Sequence, residues 1–227
     1  MHVAIIMDGN RRYARKRGLP PERGHQLGVK KVEDLIRWCP ELGIKELTLY
    51  AFSMENFNRN QKEKDHLMKI FKKRFEELID HPEIEKNRVR VRVIGRISMF
   101  PEDVQEKMQN VVKKTAGNDN YTVNFAMAYG GRQEIVDMAK ALAKEVKEGK
   151  LSLDEIDEKV VGEHMYLDSD PDIVIRTGGE RRVSNFMLWQ ANYSEWFFLD
   201  KMWPELGKED LAEAISEYKK RERRFGK

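Results

Sequence analysis

Short apolar runs recur along the chain, and most empty directly into glycines, hydroxyls, amides and arginines; no other feature restricts the fold as much. The runs span residues 3–7, 46–52, 121–128 and 172–175, and Val89, Val91 and Val93 alternate with arginines in a fifth. These are strand lengths, and the near-continuous apolar character of most of them predicts strands covered on both faces. Helical patterns fill the intervals. Val29, Val32, Leu35 and Ile36 fall on one helical face, as do Leu67, Ile70, Phe71, Phe75 and Leu78 in the highly charged segment after Arg59. Further helices are predicted from Pro101 to about Thr115, from Gln133 to about Lys147 and from Lys208 to about Arg223. Alternating strand and helix predicts an α/β fold with a central, mostly parallel β-sheet flanked by helices and joined by right-handed crossovers.

No Pro/Gly/Ser-rich linker or internal repeat divides the 227 residues, so a single domain over residues 1–227 is expected. The formal net charge of +3 is too small to mark nucleic acid as a partner. Cys39 is the one cysteine, which removes internal disulfides and zinc sites of the Cys-x-x-Cys type and fits a reducing, cytoplasmic setting. The apolar run before Asp8 is far short of the ~20 residues that cross a bilayer, and neither a membrane span nor export is predicted.

In an open parallel sheet the carboxyl ends of the strands form the edge where ligands bind. Asp8-Gly-Asn10, Ser53-Met54-Glu55-Asn56, Gly95-Arg96, Tyr129-Gly-Gly-Arg132 and Arg176-Thr-Gly-Gly all follow predicted strands and so converge on that edge. Arg176, Arg182 and Ser184 suit an oxyanion such as a phosphate ester, through guanidinium forks and backbone amides. Asp8 adds a carboxylate near five arginines between Arg11 and Arg23, a composition suited to Mg²⁺ shared with a diphosphate. Each cluster also has a plainer reading: Asp-Gly-Asn forms ordinary turns, and Gly178-Gly179 is compatible with a simple strand-to-helix turn. Neither a G-x-G-x-x-G fingerprint nor a P-loop occurs. Asp168-Ser-Asp170-Pro-Asp172 begins like a calcium loop, but Ile173 and Gly179 stand where that loop needs glycine and glutamate. His25, at the predicted start of a helix, is a candidate phosphate contact.

Taken together, these segments resemble the cis-prenyltransferases, the undecaprenyl diphosphate synthase family, over essentially the whole chain. The resemblance rests on His2-Val-Ala-Ile-Ile-Met-Asp8-Gly-Asn10, Leu47-Thr-Leu-Tyr-Ala-Phe-Ser53-Met-Glu55-Asn56-Phe-Asn-Arg59, Tyr129-Gly-Gly-Arg132, Ile175-Arg176-Thr-Gly-Gly-Glu180, Ser184-Asn-Phe-Met-Leu-Trp-Gln190 and Arg221-Glu-Arg-Arg-Phe-Gly226. It implies a homodimer that condenses isopentenyl diphosphate with an allylic prenyl diphosphate, forms Z double bonds and makes a long-chain polyprenyl diphosphate. Such a product is a precursor of glycan-carrier lipid, and its release implies transient contact with a membrane surface. By the family pattern Asp8 is the catalytic carboxylate and Mg²⁺ ligand, while Gly9, Asn10, Arg11, Arg12, Tyr13 and His25 surround the allylic diphosphate. Arg176, Arg182, Val183 and Ser184 belong to the isopentenyl diphosphate side. Ser53, Met54, Glu55, Phe57 and Arg59 complete the second strand-end cluster around Asn56. Asn56 stands where the family is assigned a proton acceptor; a neutral amide is no base at pH 7, so a positioning or relay role is expected. Glu195 matches a second metal-associated acid expected to act across the dimer, and Arg224 and Gly226 match a C-terminal element reaching the partner's site.

This chain departs from the family pattern at three places. Arg11 stands where many members have glycine, Pro21 where an arginine often lies, with Arg23 a candidate replacement, and Arg181 where histidine is common. A growing prenyl chain needs an apolar channel, for which Leu47, Leu49, Ala51, Val123, Phe125 and the helix carrying Ile70 and Phe71 are candidates; core packing is the plainer reading of each. No Asp-Asp-x-x-Asp string occurs, which separates the chain from E-specific prenyltransferases. The alternatives are a short-chain Z-prenyl diphosphate synthase and a non-catalytic partner subunit, the latter expected to lack the carboxylate and arginines retained here.

Overall fold

In the computed structural model, which describes residues 1–221, the apolar runs form β1 (His2–Ile6), β2 (Glu46–Ser53), β3 (Val89–Ile94), β4 (Tyr121–Tyr129) and β5 (Ile173–Arg176). A sixth strand, β6 (Glu195–Phe198), completes one sheet of order β3-β4-β2-β1-β5-β6. Every neighbouring pair is parallel, so the sheet is wholly rather than mostly parallel. The helices are α1 (Asn10–Lys16), α2 (Pro21–Glu41), α3 (Gln61–Ile79), α4 (Pro82–Lys86), α5 (Glu102–Thr115), α6 (Gly131–Lys147), α7 (Glu158–Glu163) and α8 (Lys208–Lys220).

Strand periodicity divides the core in two. Val3, Ile5, Leu47, Leu49, Val91, Val123, Ile173 and Ile175 pack toward Leu35 and Ile36 of α2, Leu67 and Phe75 of α3, Val104 and Met108 of α5 and Leu211 of α8. Ala4, Ile6, Ala126 and Val174 face the other way, against Leu167, Phe186 and Met187. Burying each large aliphatic side chain contributes about 1.5–3 kcal/mol, which explains why the central strands read as unbroken apolar runs. β3 lies at the edge, and its alternation of valine and arginine matches a strand with only one covered face.

Four elements were not foreseen. Ala14 is the one buried residue of α1, so that helix has no apolar stripe to reveal it. The five-residue α4 and six-residue α7 are too short to show a period. β6 is a four-residue edge strand. Two boundaries also move. α2 begins at Pro21, which leaves His25 inside the helix rather than at its start. α8 is described to Lys220, and its predicted end at Arg223 lies outside the described residues.

Two features of this topology position the site. β1 and β5 are neighbours, but the connection leaving β1 runs to β2 on one side while that leaving β5 runs to β6 on the other. Such a switch point parts the loops and leaves a crevice at the carboxyl ends. Next to it, β2 shifts register between Tyr50 and Phe52 and again between Phe52 and Ser53. A bulge of this kind re-aims side chains, and the consecutive residues Tyr50 to Ser53 all reach the same cleft. Among the described residues no helix is long and apolar enough to cross a membrane.

Candidate active site

Asp8 sits at the switch point, immediately beyond β1. Its Oδ2 accepts a hydrogen bond from Arg176 Nη2 at 2.9 Å and its Oδ1 one from Arg12 Nη2 at 3.2 Å. Burial pushes the Asp8 carboxyl up, but the hydrogen bond from Arg176 and the charges of Arg12 and Arg176 outweigh it and hold the group below the ordinary carboxylate value. Asp8 is therefore an anion at neutral pH, and it is still partly open to solvent. Its backbone carbonyl is fixed by Thr177 Oγ1 at 2.8 Å and Trp203 N at 3.0 Å. Gly9 follows with φ of 105°, and a Cβ there would meet Met202 Sδ at 2.7 Å, so glycine alone permits the turn into α1.

Arg176 is the organising cation. Its side chain is 4 % exposed, and besides Asp8 it reaches Ser184 Oγ at 2.6 Å and the Arg182 carbonyl at 2.5 Å. Ser184, Asn185 and Met187 adopt left-handed backbone conformations, a strain of order 1–3 kcal/mol at each such residue that tends to collect at functional sites. Arg182 turns its side chain to Glu180 at 2.5 Å, and Glu180 also lies 3.4 Å from Arg12. The amides of Gly178 and Gly179 are not open to an anion as expected, because they donate to the carbonyls of Lys201 and Leu199 at 2.7 and 2.9 Å. The guanidiniums are left as the anion-binding groups of this segment.

A polar cleft of about 510 Å³ brings together Asp8, Asn10, His25, Ser53, Glu55, Asn56, Arg59, Arg176 and Ser184. Asn56 Oδ1 accepts from Ser53 N at 3.1 Å, which fixes the amide and supports positioning rather than proton abstraction. The cleft shares Met7, Asn10, His25, Tyr50, Ala51 and Leu67 with a narrower apolar cavity of about 130 Å³ between α2, α3 and the sheet. Ala51, Phe125, Ile70 and Phe71 line this channel as expected. Leu47, Leu49 and Val123 do not: they are wholly buried core residues on the strands beneath it.

Other expected residues lie apart. Met54 and Phe57 pack on the core, Phe57 edge-on to Phe52 at 4.9 Å. Tyr13 lies under the Arg17 guanidinium at 4.4 Å. Val183 is exposed. Arg11 is half exposed and 3.6 Å from Glu63. Arg23 pairs with Gln26 at 2.9 Å. Arg96, at the right edge of the sheet, is drawn away by a two-pronged pair with Asp137 at 2.8 Å. Asp172 is structural, accepting from His2 N at 2.8 Å and from Tyr218 at 2.6 Å. Glu195 opens β6 opposite Ile173 and pairs with Arg221, at the other end of the strands from Asp8; one chain does not bring the two acids together. Arg224 and Gly226 lie outside the described residues.

Sequence reasoning missed Tyr50, whose hydroxyl donates to the Tyr129 carbonyl at 3.2 Å and whose ring stacks on Phe186 at 4.6 Å. It also missed Asn185, which holds Glu55 at 3.2 Å and Gln133 at 3.1 Å. Tyr50 is hidden in an apolar run. Asn185 carried a signal, since asparagine after a polar stretch is a common left-handed residue.

An oxyanion cleft at the switch point of a parallel sheet, draining into an apolar channel, defines a protein that handles amphiphilic phosphate esters. Residues 6–226 match the family model Prenyltransf, undecaprenyl diphosphate synthase. The tritrans,polycis-undecaprenyl-diphosphate synthase (geranylgeranyl-diphosphate specific) of Pyrococcus horikoshii is 51% identical over 228 residues, covering 100% of this chain and 86% of that protein. The protein of the same description from Methanocaldococcus jannaschii is 46% identical over 230 residues, covering 100% and 82%. The crystal structure of lavandulyl diphosphate synthase from Lavandula x intermedia in complex with dimethylallyl diphosphate superposes with a TM-score of 0.93 at 37% identity, covering 100% of this chain and 98% of that one. The chain belongs to the undecaprenyl diphosphate synthase family of cis-prenyltransferases.

Proposed function

We propose that the protein condenses isopentenyl diphosphate in cis onto an allylic prenyl diphosphate and extends it to a long-chain polyprenyl diphosphate, acting as a homodimer. The observation that carries this reading is the continuity of the two cavities: a diphosphate-sized polar space around Asp8, Arg59 and Arg176 opens into apolar space between α2 and α3. A substrate with a doubly phosphorylated head and a hydrocarbon tail satisfies both at once. Relatives described as geranylgeranyl-diphosphate specific favour a C20 primer.

The chemistry follows from charge. Ionising an allylic C–O bond puts negative charge on the departing diphosphate, and groups fixed beforehand at those oxygens lower the barrier. Arg12, Arg59, Asn10 and His25 hold the allylic head, while Arg176, Arg182 and Ser184 hold the head of isopentenyl diphosphate beside it. The donor set fits Mg²⁺: an ionised carboxylate, open to the cleft and, among the described residues, outside any cluster of three metal-ligating side chains, matches an ion that takes one or two carboxylates plus substrate oxygens. Asp8 would hold it, with Glu195 of the partner subunit as second acid, and the bound ion supplies positive charge to the leaving diphosphate. Asn56, Ser53 and Glu55 orient the isopentenyl group. The C2–H bond breaks to form the new double bond and its proton passes to a diphosphate oxygen, since Asn56 is not basic. Growth in this geometry drives the tail along α2 and α3, and the finished lipid leaves by transient contact with a membrane surface.

Incubation with labelled isopentenyl diphosphate, Mg²⁺ and C10, C15 or C20 primers tests this reading. A Mg²⁺-dependent ladder ending in a defined length supports it, with C20 the best primer. A folded protein that incorporates nothing overturns it.

A further inference from the structure

Glu63 has no place in the chemistry above, yet three elements bring two arginines and a histidine toward it. Its Oε1 accepts from Arg59 Nη1 at 2.8 Å and lies 3.5 Å from His25 Nε2; its Oε2 lies 3.6 Å from Arg11 Nη1. Arg11 comes from α1, His25 from α2 and Arg59 from the turn before α3. An acid in the first turn of a helix needs no special explanation, because the helix dipole favours it. The dipole does not account for a carboxylate only 14 % exposed that gathers three positive or protonatable groups from separate segments. Nor does ordinary surface pairing, since Arg59 and His25 line the cleft while Glu63 stands behind them.

The arrangement repeats the one across the cleft. There, the Asp8 carboxylate holds Arg12 and Arg176; here, the Glu63 carboxylate holds Arg59 beside the head of the allylic diphosphate. The two differ in access. Asp8 faces the cavity and Glu63 does not line it. Cations packed around an empty anion site repel one another, and a fixed carboxylate relieves that repulsion until an anion arrives.

We propose that Glu63 is the resting counter-ion of the allylic-diphosphate pocket: a positioning residue that holds Arg11, Arg59 and His25 together in the empty enzyme and weakens the pocket's grip on diphosphate. This rests on the assignment of Arg59 and His25 to the allylic diphosphate. Binding energy spent equally on substrate and transition state does not speed turnover, so a built-in competitor keeps the pocket from being saturated by its own pyrophosphate product.

The sign of the effect separates this role from a structural one. Pyrophosphate is titrated calorimetrically, without metal, into wild type, Glu63→Gln and Glu63→Asp. Glu63→Gln is expected to bind about tenfold more tightly, as loss of a nearby unit charge at intermediate dielectric implies, and to show a lower KM for the allylic primer without a higher kcat. Glu63→Asp keeps the charge and is expected to bind like wild type. Unchanged or weaker binding by a folded Glu63→Gln overturns the proposal, and so does absence of binding by wild type, which would remove the diphosphate assignment as well. Should Glu63→Gln not fold, the wild-type crystal structure with pyrophosphate decides: Arg59 shifts from Glu63 to phosphate oxygens, or its staying on Glu63 refutes the exchange.

Discussion

Asp8 is ionised because Arg176 and Arg12 outweigh its burial, and each of its oxygens is held by one of them. Asp8→Ala therefore removes the carboxylate proposed to hold Mg²⁺ and takes from Arg12 and Arg176 their shared partner, while the core beneath stays intact. We expect a folded protein whose kcat falls by on the order of a hundredfold or more; near-normal turnover would sink the assignment. The same contacts carry a pH signature. A carboxyl held below its ordinary value of 3.8 stabilises the fold fully above that pH and loses the contribution as pH falls through the folded value. The stability difference between wild type and Asp8→Asn, read from urea melts, should accordingly be largest near neutrality and shrink below about pH 4. At this scale the sequence showed residue types but not their partners. Asp8 and Arg176 were legible because they end apolar runs, and Ser184 because it follows closely on the arginine-rich stretch after one. Glu63 was not, since one more glutamate in a segment dense with Lys and Glu carries no mark of the cations that surround it.

At the scale of elements, α2 and α3 both start at the polar cleft and run outward beside the channel, with His25 and Glu63 at one end and Glu33, Arg74 and Glu77 at the other. Arg74 Nη1 bridges Glu33 on α2 at 3.1 Å and Glu77 on α3 at 2.9 Å, and all three line the channel as an ionic strap. From Glu63 to Arg74 is eleven residues, about 16 Å of helix at 1.5 Å per residue. A product growing along α2 and α3 as proposed would meet this strap, so breaking it should ease its passage. Glu33→Ala and Arg74→Gln are expected to shift the product distribution to longer chains with little change in the rate of the first condensation, as chromatography of dephosphorylated lipids would show. An unchanged distribution would place length control elsewhere. Both helices were readable from their apolar faces, and Ile70 and Phe71 were rightly suspected of lining the channel. That Leu47, Leu49 and Val123 are core instead depends on which strand face lies under the helices, which an apolar run does not encode. α1 escaped notice because four of its seven residues are basic.

For the molecule as a whole, parallel topology sets the site at one edge and leaves it short of an acid. Asp8 follows β1 and Glu195 opens β6, at opposite ends of strands separated by β5, so the family pattern that pairs them requires two chains. Mixing Asp8→Ala with Glu195→Ala tests this, because each mixed dimer then contains one intact site. With random exchange half the dimers are mixed, so about a quarter of wild-type activity should return; no recovery after demonstrated subunit exchange would confine the site to one chain. The architecture was legible because buried parallel strands and charged helices differ so sharply in pattern. β6 was not, because its place is set by β5 rather than by its own four residues. The central claim is that one cleft holds two diphosphates and feeds one apolar channel. Its most direct test is incubation of the purified protein with labelled isopentenyl diphosphate, Mg²⁺ and a C20 primer, followed by chromatography of the dephosphorylated products. The account predicts a Mg²⁺-dependent ladder of Z-extended chains ending at a defined long length; no incorporation with any primer, by a protein shown to be folded and dimeric, would contradict it.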